Sequence, residues 1–276
     1  MHDCTVPFSR DTASYLAPRW PGTPFDRLES LHKALRAMAG STHLAPVRRP
    51  ERILAVGRGL SHWVGEIGAE FPAALTVAAW TDAVRHGQYP EPGTEVRADL
   101  ARGLPFPDGA FDYVHHRMFP FAVYEQDRAL QIDELVRVVA PGGWIEVVET
   151  EPTMLPLSPS AERLRRQILQ LLEAAQDGGQ APQPPAVLLR TRGLVDVGAR
   201  CFEFPVGSWG GAVGTAMLSN FRALMGMVAP ALEVRLGIPT LETLGLVARA
   251  TEEIDKGRTV TPLWFVWGRR PAGVGD

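Results

Sequence analysis

The sequence has 276 residues, of which 45% are hydrophobic and 21% charged, with a net charge of −3 and a pI near 6.2. Such a chain is long enough for one globular α/β domain with an appendage, and its weak negative charge excludes the basic field that nucleic acids and anionic membranes require. The segment Met1–Ser14 has no signal-peptide pattern and no apolar run reaches the roughly 18 residues of a membrane span, so we expect a cytoplasmic protein.

The N-terminal region is predicted to form a lid, which we assign to residues 1–45. Residues 1–23 are rich in Pro, Ser and Thr and are expected to be an irregular arm. Residues Pro24–Ala39 carry apolar side chains at helical spacing, and Gly40 is a plausible stop. The lid is therefore an arm followed by one helix.

Strands and helices alternate between residues 46 and 150, the predicted cofactor-binding half of the core. The predicted strands are short apolar runs without alternation, as strands buried on both faces are. This pattern, with helices between the strands, favours a mainly parallel, doubly wound α/β sheet. The run Pro141-Gly142-Gly143 is expected to end the second helix of this half. The predicted strands are Ile53–Val56, Ala74–Ala79, Glu95–Ala98, Phe111–His115 and Trp144–Val148, and the predicted helices are Ser61–Glu70 and Asp127–Val139.

Residues 151–276 are predicted to complete the core and to insert a helical substrate cap. A methionine-rich apolar stripe runs from Met217 to Val228 between the expected sixth and seventh strands. Methionines adapt to irregular ligands, so the cap predicts an apolar or aromatic small molecule as substrate. Exposed parts of the same stripe would alternatively form an interface, either in a homodimer or with a paralogue. The predicted helices are Ala161–Gln176, Ala186–Gly193 and Leu241–Ile254, and the strands are Val195–Val206 and Val260–Gly268.

The first strand leads into a glycine turn, Gly57-Arg58-Gly59, before the next helix. In an open α/β sheet this turn lies at the carboxyl end of a strand, where a backbone without Cβ atoms permits close approach of a ligand. A simple left-handed turn would need the same glycines, so the motif has two interpretations.

Two phrases carry a family resemblance: Leu104-Pro-Phe-Pro-Asp-Gly-Ala-Phe-Asp-Tyr-Val114, followed by Leu135-Val-Arg-Val-Val-Ala-Pro-Gly-Gly-Trp-Ile-Glu146. Over residues 25 to 150 the chain resembles the class I S-adenosylmethionine-dependent methyltransferases of the small-molecule, natural-product type. The resemblance implies a Rossmann-like seven-stranded sheet of order 3-2-1-4-5-7-6 with an antiparallel seventh strand. It also implies S-adenosylmethionine as the cofactor.

The cofactor motif departs from the family pattern, acidic-x-Gly-x-Gly-x-Gly. Ala55 stands at the acidic position, Ser61 at the third glycine, and Trp80 where an acidic residue usually accepts the ribose hydroxyls. Asp99, followed by Leu100, stands at the position of the adenine acceptor. The cofactor contacts that the resemblance implies are those of Gly57, Arg58, Gly59, Trp80, Asp99 and Leu100.

Three functions are compatible with this altered motif. The first is an active methyltransferase. The second is an enzyme that uses the same fold for a cofactor-independent cyclisation or isomerisation, with Arg58 as a cation in the former cofactor site. The third is a catalytically silent partner of an active paralogue, in which Arg58, Leu60 and Trp80 fill the vacant site.

The candidate catalytic residues are His115 and His116, which follow the fourth predicted strand. Alternation along an extended chain sends their rings to opposite sides, and either ring is a candidate general base. Alternatively, one is bonded to backbone and the other solvated. Glu146, Glu149 and Glu151 either place one carboxylate at the pocket or lie at a solvated strand exit. Cys4 and Cys201 are far apart and no ligand cluster has metal spacing, so we predict no metal.

Overall fold

The chain folds around one sheet of seven strands. The computed structural model describes residues 24–57, 60–80, 94–97, 103–117, 125–150, 154–175 and 183–273. The strands are β1 (Arg52–Gly57), β2 (Leu75–Trp80), β3 (Thr94–Arg97), β4 (Phe111–Arg117), β5 (Val139–Thr150), β6 (Val195–Pro205) and β7 (Val260–Arg269). The helices are α1 (Pro24–Ala39), α2 (Ser61–Glu70), α3 (Glu125–Val138), α4 (Pro159–Ala175), α5 (Pro185–Thr191), α6 (Gly211–Leu236) and α7 (Thr240–Gly257).

The strand order is β3-β2-β1-β4-β5-β7-β6, and β7 runs antiparallel to both of its neighbours. The other pairs, from β3 across to β5, are parallel. This order and this antiparallel strand confirm the predicted Rossmann-like methyltransferase fold. The carboxyl ends of β1, β4 and β5 lie on one edge of the sheet, together with the start of β7.

The central strand β1 is buried on both faces, as its unbroken apolar run predicts. Ile53 and Ala55 pack towards α2 in a cluster with Trp63 and Tyr113. Leu54 and Val56 face the opposite side, where α3 and α5 contribute the buried side chains Ile132, Leu135, Leu188 and Leu189. Helices therefore cover both faces of the sheet.

Arg137 of α3 joins the two phrases that carry the family resemblance. Its Nη1 donates to the carbonyl oxygen of Phe106 at 2.8 Å, and its Nη2 donates to that of Leu104 at 3.0 Å. The backbone N–H of Gly109 donates in turn to the carbonyl oxygen of Arg137 at 2.9 Å. The turn before β4 is thus fixed to the helix that follows β4.

The run Pro141-Gly142-Gly143 lies inside β5 rather than at a helix end, so that prediction is wrong. Helix α3 stops at Val138 and β5 begins at the next residue. A Cβ atom on Gly143 would lie 2.8 Å from the carbonyl oxygen of Asp112 in β4, so this position needs a glycine for strand packing. The fourth strand also extends beyond its predicted end and includes the whole of His115-His116-Arg117.

Helices α1, α4, α6 and α7 pack together, and we refer to them as the cap. α1 has the predicted bounds and packs on α6. It ends at Gly40, which has a φ of +70° and donates its N–H to the carbonyl oxygen of Arg36 at 3.0 Å. None of the helices in the described ranges is long and apolar enough to cross a membrane. The cap core includes Leu31, Leu35, Leu164, Met217, Met225, Leu246 and Ile254.

Candidate active site

The end of β1 is shaped by the neighbouring strand. Gly57, the last residue of β1, is paired with Arg117, the last residue of β4. Its φ is +134°, and a Cβ atom there would lie 2.6 Å from the carbonyl oxygen of Arg117. Any larger residue would be strained by its backbone and would collide with β4. Gly57 is therefore required by the fold itself, whether or not a ligand approaches it.

Arg117 is a buried cation at the carboxyl end of β4, only 5% exposed. Its Nη1 lies 3.2 Å from Nδ1 of His32 in α1, and Nε2 of His32 lies 3.1 Å from a carboxylate oxygen of Glu66 in α2. Because a guanidinium only donates, the Nδ1 of His32 must be the acceptor, and the hydrogen on its Nε2 then lies on the side of Glu66. The Nε of Arg117 is buried and has no hydrogen-bond partner among the described residues.

The ring of His115 is fully buried on the α2 face of β4. It stacks on Trp63 with 4.1 Å between ring centroids, and its Nδ1 lies 3.2 Å from both Glu146 and the Tyr113 hydroxyl. Burial lowers the pKa of His115 to about 4, although the hydrogen bond and charge of Glu146 act to raise it. His115 is thus a neutral imidazole packed inside the sheet's core.

Glu146 of β5 is the carboxylate at the centre of this cluster. Its Oε2 accepts the backbone N–H groups of Leu44 at 2.7 Å and Ala45 at 2.5 Å. Burial alone would raise the pKa of Glu146, but the bonds from His115 and the two amides outweigh burial and lower it. Glu146 is therefore an ionised side chain that fixes the linker between α1 and β1.

His116 points to the opposite face of β4, as strand alternation predicts. Its Nδ1 donates to the carbonyl oxygen of Val56 at 2.9 Å, and its ring is 3% exposed. Burial lowers the pKa of His116 to about 3, against the effect of that hydrogen bond, with His115 and Arg128 lowering it further. Both predicted bases are therefore buried and weakly basic.

An ion pair of two largely buried side chains lies at the end of β5, on the face that α3 covers. Arg128 of α3 donates two hydrogen bonds to the carboxylate of Glu149, at 2.5 and 2.6 Å. This two-bond geometry is the strong form of an arginine–carboxylate pair. Glu149, which was expected either at the pocket or at a solvated exit, instead pairs with α3, and Glu151 lies outside the described residues.

An apolar pocket lies between α4 and α6 at the same edge of the sheet. Its floor includes Thr150 at the end of β5 and Thr261 at the start of β7. The polar residues on its walls are Arg165, which pairs with Glu162, and Asn220. The apolar walls are formed by Met154, Leu157, Leu164, Ile168, Leu169, Met217, Phe221, Leu224 and Met225.

Asn220 connects this pocket to the N-terminal helix. Its Oδ1 accepts a hydrogen bond from Nη1 of Arg27 in α1 at 2.5 Å, and the residue is 9% exposed. The same helix contributes His32 to Arg117, so α1 contacts both the pocket wall and the end of β4. One helix thereby links the two parts of the candidate site.

The remaining predicted cofactor residues lie at or beyond the strand ends. Trp80 is the last residue of β2, and Arg58, Gly59, Asp99 and Leu100 fall outside the described residues. Ala55, at the family's acidic position, is fully buried in the apolar cluster with Trp63 and Tyr113. Ser61 begins α2. In the described ranges no three His, Cys, Asp or Glu side chains are arranged to hold a metal ion.

Sequence reasoning missed two pairs of residues at this site. His32 and Arg117 are 85 residues apart in the chain, and Arg27 and Asn220 are 193 apart. Arg27 and His32 lie on α1, and Asn220 lies among the apolar residues of the stripe from Met217 to Val228. A polar residue at a stripe position is a signal in itself, because a buried amide needs a hydrogen-bond partner.

The sheet order and its antiparallel seventh strand define a Rossmann-like methyltransferase fold. Residues 56–147 match the family model described as a methyltransferase domain. The match and the fold support a class I S-adenosylmethionine-dependent methyltransferase.

Several relatives with curated names are named methyltransferases. N-methyltransferase verN of Clonostachys rogersoniana is 24% identical over an alignment of 264 residues, and the match covers 89% of this chain and 89% of that protein. Demethylmenaquinone methyltransferase of Thermus thermophilus is 38% identical over 155 residues, covering 50% of this chain and 64% of that protein.

Among solved structures, phosphoethanolamine N-methyltransferase 2 of Haemonchus contortus, in complex with phosphomonomethylethanolamine and S-adenosylhomocysteine, is similar with a TM-score of 0.54 at 14% identity. The alignment covers 94% of this chain and 60% of that one, and at this identity it shows the fold alone.

Proposed function

We propose that this protein transfers the methyl group of S-adenosylmethionine to a small molecule with an apolar body, of the natural-product type. The observation that carries the proposal is the apolar pocket at the carboxyl edge of a methyltransferase sheet. In open α/β sheets ligands bind at this edge. The lining of Met, Leu and Phe suits an apolar ligand body.

Arg117 is the residue that we propose for the carboxylate of the cofactor's methionine portion. It is a buried cation beside Gly57, and its Nε lacks a partner among the described residues. An unpaired buried charge is costly, whereas a carboxylate ligand would supply both a counter-charge and an acceptor. This supports the fit of a carboxylate-bearing cofactor at the end of β4.

The other cofactor contacts follow the family resemblance and remain proposals. Gly57, Arg58 and Gly59 form the turn at the methionine portion, Asp99 and Leu100 lie at the adenine, and Trp80 stands at the ribose position. Ala55 supplies no carboxylate, and Glu146 is committed to Leu44 and Ala45. The bound cofactor supplies an electrophilic methyl group, and the chain's role is to bind it and orient the acceptor.

For His115 and His116 we propose structural roles rather than proton abstraction. Both rings are buried, and burial holds their pKa values at about 4 and about 3. The described residues that line the pocket include no histidine or carboxylate. An acceptor that needs no enzyme base, such as a neutral amine nitrogen, suits this arrangement. The similarity to N-methyltransferase verN is consistent with that choice.

The first test is calorimetric titration of the full chain with S-adenosylhomocysteine. We expect saturable binding, followed by detection of methylated products by mass spectrometry after incubation with S-adenosylmethionine and apolar amines. Absence of binding at millimolar concentration would overturn the proposal. The cofactor-independent cyclisation or isomerisation, or the role of silent partner to a paralogue, would then be preferred.

A further inference from the structure

We propose that Asn220 determines substrate specificity by donating a hydrogen bond from its Nδ2 to an acceptor atom on the ligand in the apolar pocket. The inference rests on the proposed function, because it names the class of substrate for that same pocket. The ligand would be an apolar molecule that carries one carbonyl or ether oxygen.

The orientation of the Asn220 amide is fixed by its partner. Arg27 carries only donors, so the atom that faces it at 2.5 Å must be the amide oxygen. The two hydrogens of Nδ2 then point away from Arg27. Asn220 has no hydrogen bond other than that of Arg27 among the described residues, so Nδ2 is left as a donor.

The position of Asn220 places this donor among apolar side chains. Met217 and Leu224 lie three residues before and four residues after it, on the same face of α6, and all three line the pocket. Because its neighbours on this face of α6 are apolar, the amide donor would gain a hydrogen bond from a ligand acceptor. The pocket would therefore select against a purely hydrocarbon ligand.

The other polar side chains of the pocket are less suited to a ligand oxygen. Thr150 donates its hydroxyl to the carbonyl oxygen of Pro262 at 3.1 Å, and its oxygen lies 3.5 Å from the hydroxyl oxygen of Thr261. Arg165 donates to both oxygens of Glu162 at 2.9 and 3.0 Å, and its side chain is 38% exposed, so water can satisfy its remaining N–H groups. Asn220 is only 9% exposed, so its Nδ2 hydrogens depend on a ligand acceptor, which makes Asn220 the anchor for a ligand oxygen.

The test compares two probes of the same bicyclic shape, 1-tetralone, which has a carbonyl oxygen, and tetralin, which has none. Equilibrium dialysis against the full chain without cofactor measures the affinity for each. We expect the protein to prefer 1-tetralone by about tenfold, the effect of one well-placed hydrogen bond. In Asn220→Leu the preference should disappear while tetralin binds at least as well as before.

Two further variants separate a ligand contact from a structural tie between α1 and α6. Leu224→Met changes the pocket wall without touching the amide, and it should keep the preference for 1-tetralone. Arg27→Met frees the amide to rotate and should reduce the preference without abolishing tetralin binding. Equal affinity of the wild-type protein for the two probes, or no binding of either up to its solubility limit, would overturn the inference.

The outcome is independent of the test of methyl transfer. Binding of S-adenosylhomocysteine without discrimination between the probes would reject only the role of Asn220. Discrimination without binding of S-adenosylhomocysteine would reject only methyl transfer.

Discussion

Arg117 at the edge of the sheet is contacted by the imidazole of His32 and not by a carboxylate, with 3.2 Å between Nη1 and Nδ1. Burial lowers the pKa of Arg117 to about 10, so the guanidinium stays charged at neutral pH. Burial and the charge of Arg117 together lower the pKa of His32, although Glu66 acts to raise it. The neutral His32 lies between Glu66 and Arg117 and does not neutralise the positive charge of Arg117. The site is therefore attractive to an anion.

Replacement of Arg117 by a neutral residue should therefore weaken S-adenosylhomocysteine binding without lowering the free energy of unfolding. We expect Arg117→Met to weaken S-adenosylhomocysteine binding by at least about tenfold, because a charge-assisted hydrogen bond is lost. The free energy of unfolding should be unchanged or higher, because an incompletely paired buried charge is removed. Calorimetry and urea unfolding measure the two effects. Arg163→Met, at an exposed ion pair with Glu242, is the control and should leave binding unaltered. Unchanged binding in Arg117→Met would contradict the assignment.

Gly57 should be intolerant of even one methyl group. Gly57→Ala combines a left-handed backbone with a contact of 2.6 Å to the carbonyl oxygen of Arg117, and we expect a loss of about 3 kcal/mol in unfolding free energy. Gly68→Ala is the matched control, since no atom lies within 4 Å of the added Cβ in α2. That change should stabilise the protein by about 0.5–1 kcal/mol, because alanine favours a helix interior. Similar effects at the two positions would refute the close-approach explanation.

Acid should destabilise the protein well above the range in which carboxylates titrate. The folded-state pKa values of His115 and His116 are about 4 and about 3, below the ordinary value of 6.5 for histidine. The unfolded chain therefore binds more protons than the folded one as the pH falls from about 6.5 to about 4. Stability is lost over this window, by roughly 1.4 kcal/mol per pH unit for each histidine.

Urea unfolding at a series of pH values measures this slope. His116→Asn keeps an N–H donor for Val56 and cannot titrate, so its slope should be smaller by about 1.4 kcal/mol per pH unit. Imidazole resonances of the two rings should also show no titration between pH 5 and pH 8. Equal slopes in the variant and the parent protein would mean that His116 titrates normally when folded.

Glu146 should contribute to stability through its charge. Glu146→Gln retains an oxygen for the amides of Leu44 and Ala45 but removes the negative charge, and we expect a loss of roughly 2 kcal/mol. Glu173→Gln, at an exposed position of α4, should change the unfolding free energy by less than about 0.5 kcal/mol. A Glu146→Gln protein as stable as the parent would show that the hydrogen bonds do not depend on charge.

Local patterns in the sequence were sufficient for much of the fold. The helical spacing of apolar residues located α1 with its observed bounds, and the apolar run before Gly57 located β1 to within one residue at each end. The strand order came from the family resemblance, whose two phrases are physically joined by Arg137. The prediction failed at Pro141-Gly142-Gly143, because glycines that end a helix and glycines that permit close strands look alike in sequence.

The site was less predictable, because its important contacts join distant segments. A buried role for His115 depends on Trp63 and Glu146, and neither is its neighbour in the chain. The pairing of Arg27 with Asn220 crosses nearly the whole domain. Burial, rather than residue type, determines that His115 and His116 are poor bases, and burial follows from packing that a local pattern does not specify.

The hydrogen bonds between Glu146 and the linker from α1 to β1 also constrain the order in which contacts form during synthesis of the chain. The linker residues Leu44 and Ala45 find their acceptor 102 and 101 residues later, and Arg27 of α1 finds Asn220 a further 74 positions on. Helix α1 therefore cannot complete these contacts until β5 and α6 have emerged from the ribosome. A chain truncated before residue 220 would lack the partner of Arg27 together with the pocket residues Phe221, Leu224, Met225 and Thr261.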